Sequence, residues 1–389
     1  MNPREPPVPP DTIREEVGEL DRAADLLAIG RASDRSGTFP RELFRELGRR
    51  RLLGLTIPVE LGGRGLTSLR AARGLFELAL RGGTLAAKLS LQPEFSSVLA
   101  SHGGTELRDR YFAPLIEGER IVGNQLTEAG PGSDLGSIET RAVRRDDNYL
   151  LTGEKTQVAF ADVADSAIVY GRASAPGTPP AGISAWLVPQ ATPGIERRAL
   201  PDFGERWMRR GTVRYTDVPV SPGQLIGAED RALEYVRREL DHERALLGAV
   251  YLGVGWAAWA ETVQQVADRR VGGRPLSSQE AVSFPLVEDR VRLVAAWGLL
   301  ERTLSLLDEG TAAAGDAALA KWYCGQTALT AVDHAMHFHG GAGYSEELPF
   351  AQRLRDLRSA RVAHGTDEVM HLVAARELWP KERTARQKN

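Results

Sequence analysis

Cysteine is almost missing: Cys324 is the only one in 389 residues. A lone cysteine excludes an intrachain disulfide and leaves no thiolate cluster for a metal. Lying in an apolar helical run, it reads as a buried structural thiol. A dominant charge is also lacking. Lys and Arg total 49 against 52 Asp and Glu, a net −3, so the basic field expected of a nucleic-acid binder is absent. No apolar run reaches the roughly 18 residues of a membrane span. The N-terminal M-N-P-R-E-P-P-V-P-P has no apolar core of a secretion signal and reads as a disordered or extended arm over residues 1–10. The resulting expectation is a cytoplasmic protein with neither nucleic-acid nor membrane partners. No G-x-G-x-x-G follows a strand, so a Rossmann nucleotide site is not indicated. His337 and His339 precede Gly-Gly without carboxylate company, and no metal is expected.

What is present falls into three segments. Residues 11–120 are mostly helical in pattern, with L-D-R-A-A-D-L-L-A-I-G ending on Gly30 as a C-cap and a glycine-rich turn at 57–66. Residues 121–229 change character. N-Y-L-L-T-G-E-K, D-S-A-I-V-Y-G-R-A, I-S-A-W-L-V-P and T-V-R-Y-T-D-V-P-V read as short strands separated by turn residues. They predict a small antiparallel sandwich or barrel. Residues 230–389 return to long apolar helices, which predict a bundle with some surface against a sister subunit.

The order helix, small β unit, helical bundle is joined by specific motifs. Leu126–Asp134 reads L-T-E-A-G-P-G-S-D. Around it stand I-P-V-E-L-G-G-R-G, N-Y-L-L-T-G-E-K, D-R-R-V-G-G-R-P-L-S-S-Q, H-F-H-G-G-A-G-Y-S-E-E-L-P and R-L-R-D-L-R-S-A-R-V-A-H-G-T-D-E. Six such pieces in this order resemble the acyl-CoA dehydrogenase family over nearly the whole chain. The resemblance implies an α+β fold: an N-terminal helical domain, a middle antiparallel β domain and a C-terminal four-helix bundle. It also implies FAD, whose adenine end crosses a subunit boundary in a homodimer or homotetramer.

The glycines of L-T-E-A-G-P-G-S-D let backbone amides approach an anion, and its hydroxyls suit flavin or phosphate oxygens. Taken alone, the same stretch is also a plain Gly-Pro-Gly turn. By resemblance, Thr127 would contact the isoalloxazine edge and Ser133 the pyrophosphate, with Leu126 and Gly132 as further cofactor-binding residues. Arg269 would pair with the pyrophosphate of a neighbouring subunit, for which a guanidinium fork is suited. Taken alone it is a solvated charge beside Asp268 and Arg270. Gln279 would lie near the adenine half. His337, Gly340, Gly341, Gly343, Thr366 and Glu368 match further cofactor positions. Gln157 and Ala159 depart from the pattern. They stand where the family commonly has a tryptophan against the flavin and a threonine near its N5. Gly272 likewise stands where an aromatic residue is usual.

The family reaction removes an α proton from an acyl thioester while hydride leaves Cβ for the flavin. Glutamate is a suitable base when an apolar site raises its pKa. Most members carry that glutamate immediately before the Gly-Thr of the terminal helix, where this chain has His364. L-D-H-E-R, Leu240 to Arg244, instead resembles the L-D-x-E-R of the isovaleryl- and long-chain-like subgroup, and Glu243 is the matching carboxylate. Glu243, Leu247, Val250 and Val254 share one helix face. The residues alone also admit an ordinary first-turn glutamate, favoured by the helix dipole or paired with Arg244. His364 is a bystander, a second base near neutral pH or a pocket-shaping residue.

The resemblance implies an acyl-CoA or acyl-carrier-protein substrate and an electron-transfer partner or oxygen as acceptor. Gln92, Glu94, Arg244 and Tyr344 are the expected substrate contacts. The altered flavin positions point to a specialised biosynthetic dehydrogenase. Two rivals share the fold: a flavin monooxygenase, kept open by Gln157 and Ala159, and a catalytically silent scaffold subunit.

Overall fold

A computed structural model describes residues 5–8, 12–130, 132–174, 182–311 and 313–379. Most of the arm expected over residues 1–10 lies outside the described residues; within it, Val8 is buried. The described chain has an N-terminal helical segment, a middle β-sheet and a C-terminal set of long helices. It packs as two compact units. One comprises Met1–Arg31, Thr67–Lys88 and Asp241–Asn389; the other comprises Ala32–Leu66 and Leu89–Leu240. The N-terminal helices are thus divided between the two.

The N-terminal segment contains α1 (Thr12–Ala24), α2 (Leu26–Ser36), α3 (Arg41–Arg49), α4 (Ser68–Ser90), α5 (Ser97–His102), α6 (Thr105–Leu107) and α7 (Ala113–Ile116). Gly30 is not a C-cap. The break falls at Asp25, whose φ is 46°, and α2 runs through Gly30. A Cβ at Gly30 would stand 3.3 Å from the carbonyl oxygen of Gly82 in α4, so glycine serves close helix approach there.

The sheet has seven strands: β1 (Val122–Gln125), β2 (Arg141–Arg145), β3 (Asn148–Val158), β4 (Ser166–Ser174), β5 (Ser184–Pro189), β6 (Ile195–Ala199) and β7 (Gly211–Val220). Their order is β1-β4-β2-β3-β7-β6, with β5 on β4. The expectation of a purely antiparallel sheet is corrected, because β4 pairs in parallel with both β1 and β2. With β5 antiparallel on its other side, β4 is central, which explains its unbroken apolar run. Trp186, Tyr215, Val213 and Leu151 fill the core of this unit.

The C-terminal part contains α8 (Ala232–Asp268), α9 (Glu280–Asp308), α10 (Ala314–Phe338), α11 (Gly341–Tyr344), α12 (Phe350–Leu357) and α13 (Asp367–Leu378). One 18-residue window of α8 is long and apolar enough to cross a membrane, where the sequence reading expected none; 83% of it is buried inside the protein, as in a core helix. Cys324 on α10 is fully buried, and its thiol lies 3.8 Å from the Ala296 carbonyl oxygen. Burial pushes that thiol's pKa up, in keeping with a structural role.

Candidate active site

In the β-bearing unit, the 126–133 turn leaves the end of β1. Its glutamate is a structural anchor that sequence reasoning did not single out. Glu128 accepts hydrogen bonds from the backbone N–H of Glu139 (2.7 Å) and Thr140 (3.0 Å), from the Thr140 hydroxyl, and from Lys155 Nζ at 2.7 Å. Lys155 also donates to the Leu126 carbonyl oxygen at 3.2 Å. Both side chains are buried. Burial would raise the Glu128 pKa, yet the Lys155 and Thr140 hydrogen bonds, the ammonium charge and the Glu139 N–H hold it below the usual range. Lys155 has fewer compensating bonds, so burial wins there and lowers its pKa to about 8 against the pull of Glu128.

On this anchored turn, Leu126 and Thr127 are half-buried and Gly132 and Ser133 are exposed. The Thr127 carbonyl accepts from the Thr156 N–H at 3.0 Å. A Cβ at Gly130 or Gly132 would meet nothing within 4 Å, so the main chain there stands open to an approaching group. Uncrowded glycines beside the Thr127 and Ser133 hydroxyls fit the phosphate and ring oxygens of FAD. Gln157 is exposed with φ 57°, next to the register shift between Lys155 and Val158. The bulge turns out the side chain that replaces the family's tryptophan, and Ala159 beside it is half-buried.

Gln92 and Glu94 are buried and bonded inside the same unit. Gln92 donates to the Val122 carbonyl oxygen, and Glu94 accepts from the Thr56 N–H at 3.0 Å and hydroxyl at 3.3 Å. The structure thus gives both side chains loop-holding bonds.

In the other unit, Asp241 to Arg244 of the L-D-H-E-R stretch lie on α8. Glu243 lies about three turns into α8, so the first-turn reading of this glutamate is corrected. Its stripe partners Leu247, Val250 and Val254 are all buried. Arg244 does not pair with Glu243: its Nη1 donates to Asp241 at 2.9 Å and its Nε to the His364 carbonyl oxygen at 3.1 Å. Burial raises the Asp241 pKa, with Arg244 opposing. His242 lies 2.8 Å from the Ser68 hydroxyl, and burial lowers its pKa. Glu243 itself is 6% exposed, and its Oε2 lies 3.2 Å from His364 Nε2.

The turn carrying His364 is fixed by cations. His364 has φ 53° and Gly365 φ 101°, two successive left-handed residues. Arg244 holds the first carbonyl, and Lys321 Nζ, fully buried on α10, holds the second at 2.6 Å. Burial lowers the Lys321 pKa to about 8, with Asp367 opposing and Arg244 and Lys88 adding to the fall. A lysine inside the apolar run A-L-A-K-W-Y was the sequence signal for this missed residue. Thr366 caps α13, its hydroxyl 3.3 Å from the Val369 N–H. Glu368 is exposed in the first turn, where its own N–H and the Thr366 hydroxyl hold its pKa low. Arg269, Gln279, His337, Gly340, Gly341 and Tyr344 are also exposed. No Cβ clash arises at Gly340 or Gly341. His339 is buried with Nδ1 2.8 Å from the Ala335 carbonyl oxygen. Among the described residues no three His, Cys, Asp or Glu side chains gather as a cation site.

This arrangement has known counterparts. The N-terminal, middle and C-terminal domain models of acyl-CoA dehydrogenase match residues 12–119, 123–218 and 231–379. Benzylmalonyl-CoA dehydrogenase of Aromatoleum aromaticum is 31% identical over 350 residues, covering 89% of this chain and 92% of the relative. The caffeyl-CoA reductase-Etf complex subunit CarC of Acetobacterium woodii is 28% identical over 90% of this chain and 92% of its own. The structure of butyryl-CoA dehydrogenase from Megasphaera elsdenii superposes with a TM-score of 0.87 at 26% identity, covering 95% of this chain and 99% of the other. The chain belongs to the acyl-CoA dehydrogenase family. It is an FAD-dependent enzyme that dehydrogenates an acyl thioester.

Proposed function

We propose that Glu243 is the base of this reaction. The observation that carries the reading is its distance from His364: a carboxylate rooted on α8 ends 3.2 Å from the side chain at the position where most family members keep their glutamate. Two separate places in the sequence therefore serve one place in space. Buried at the head of an apolar stripe, the carboxylate is shielded from water while it takes the α proton. FAD, when bound, supplies the acceptor for the β hydrogen as hydride. The protein's own part is to hold the carboxylate, fix the 364–366 turn and present that turn's backbone N–H groups to the developing enolate oxygen. Thr127 and Ser133 of the anchored turn would hold the flavin and pyrophosphate, with Arg269, Gln279 and the Gly340–Gly341 backbone contacting cofactor across a subunit boundary.

The L-D-H-E-R stretch with Glu243 supports a reading within the isovaleryl- and long-chain-like subgroup. The Gln157 and Ala159 departures favour a specialised biosynthetic acyl-CoA or acyl-carrier-protein substrate. An electron-transfer flavoprotein is the proposed acceptor, in keeping with the Etf-complex relative. Self-association is supported by Phe284, Val287, Val291 and Val294, an exposed apolar row at helical spacing on α9. The test is anaerobic mixing of the FAD-loaded protein with a panel of acyl thioesters. Bleaching of the flavin band near ~450 nm by one class identifies the substrate; oxygen consumption with reduced flavin and no bleaching by any thioester would favour a monooxygenase.

A further inference from the structure

The contact between Glu243 and His364 does more than mark a vacated position. Here an imidazole has replaced the family's carboxylate and lies against the relocated one, Nε2 to Oε2 at 3.2 Å. Its location is strictly constrained. His364 is left-handed at φ 53°, a conformation in which His, Asn and Asp are enriched among non-glycine residues. Its carbonyl is held by Arg244 from the residue next to Glu243, and the following carbonyl is held by Lys321 from α10. One helix thus supplies both the carboxylate and, through Arg244, the clamp that presents the imidazole to it.

We infer that His364 is a positioning residue for Glu243, its ring standing against the carboxylate and holding the base in one orientation. This rests on the assignment of Glu243 as base. The ring stands at one carboxylate oxygen, Oε2, and leaves the other to receive the α proton. Arg244 is matched by Asp241 and Arg361 by Asp367, at 2.9 and 2.6 Å.

Three substitutions separate the contributions. His364→Gln retains an N–H donor without titrating. His364→Asn tolerates the left-handed backbone and is too short to reach the carboxylate. His364→Ala removes donor and charge together. Retained FAD and unchanged circular dichroism establish folding for each. In stopped-flow bleaching, His364→Gln is expected to stay within about tenfold of wild type. Asn and Ala are expected to lose about 10²-fold, the scale of a misplaced reacting group. A second readout needs no turnover. In ¹⁵N-histidine spectra, the ring signal assigned with His364→Asn should move in Glu243→Gln, as expected when the two side chains touch. An unmoved ring signal, or wild-type rates in His364→Ala while Glu243→Gln is silent, overturns this inference alone. Full bleaching by Glu243→Gln overturns the base assignment and the inference with it.

Discussion

Replacing Lys155 with methionine should loosen the L-T-E-A-G-P-G-S-D turn at its root. The ammonium is fully buried, bridging Glu128 at 2.7 Å and the Leu126 carbonyl at 3.2 Å. Removing one partner of a buried pair typically costs about 3–5 kcal/mol, because the remaining charge stays desolvated. Glu128 would keep the Glu139 and Thr140 donors, so the lower end, about 3 kcal/mol, is expected. The assay is urea unfolding followed by tryptophan fluorescence, with the flavin-to-protein ratio measured in parallel. Lys155 also contributes a pH signature. Its native pKa is lowered from 10.5 to about 8, so between those values the unfolded chain binds more protons and stability rises with pH. Below about 8 the burial cost is fully present in the wild type. That component should vanish in Lys155→Met. A variant within about 0.5 kcal/mol of wild type, with full FAD and an unchanged alkaline profile, would refute the reasoning.

Three further outcomes are expected. Gly365→Ala should destabilise the unit containing α8 and α10 by about 1–2 kcal/mol in urea melts, from the left-handed backbone alone; the added Cβ would also stand 2.6 Å from the end of the Met370 side chain. Val287→Asp with Val291→Asp should lower the sedimentation-derived mass, because two charges would enter the exposed α9 row. Combining Glu243→Gln with His364→Glu should restore thioester bleaching lost in Glu243→Gln, since the two side chains reach one place.

Much of this architecture can be read directly from residue patterns. The four strands carrying alternating or continuous apolar residues correspond to β3, β4, β5 and β7. β1, β2 and β6 were not anticipated, and their residues show why. V-G-N-Q ends in polar side chains, and Gln125 is buried only because Tyr215 and Gln190 bond it. R-A-V-R-R and I-E-R-R-A are too charged for a period-two signal. The parallel pairing of β4 depends on long-range topology. At the site, the Glu243–Leu247–Val250–Val254 face is periodic and legible. The contact with His364 is not, because the fold brings together two chain segments far apart in sequence. The same holds for Glu128 with Lys155 and for Lys321 with Gly365. Gln92 and Glu94 read as polar pocket residues, and their bonds to the distant Val122 and Thr56 are not legible in the sequence.

The most direct test of Glu243 as base is the initial bleaching rate of FAD-loaded Glu243→Gln with the thioester that bleaches the wild type fastest. The amide retains shape and FAD while losing basicity. A fall of about 10²–10⁴-fold, the range of a general base, is predicted. A rate within a few-fold of wild type would contradict the assignment and move proton abstraction elsewhere in the site.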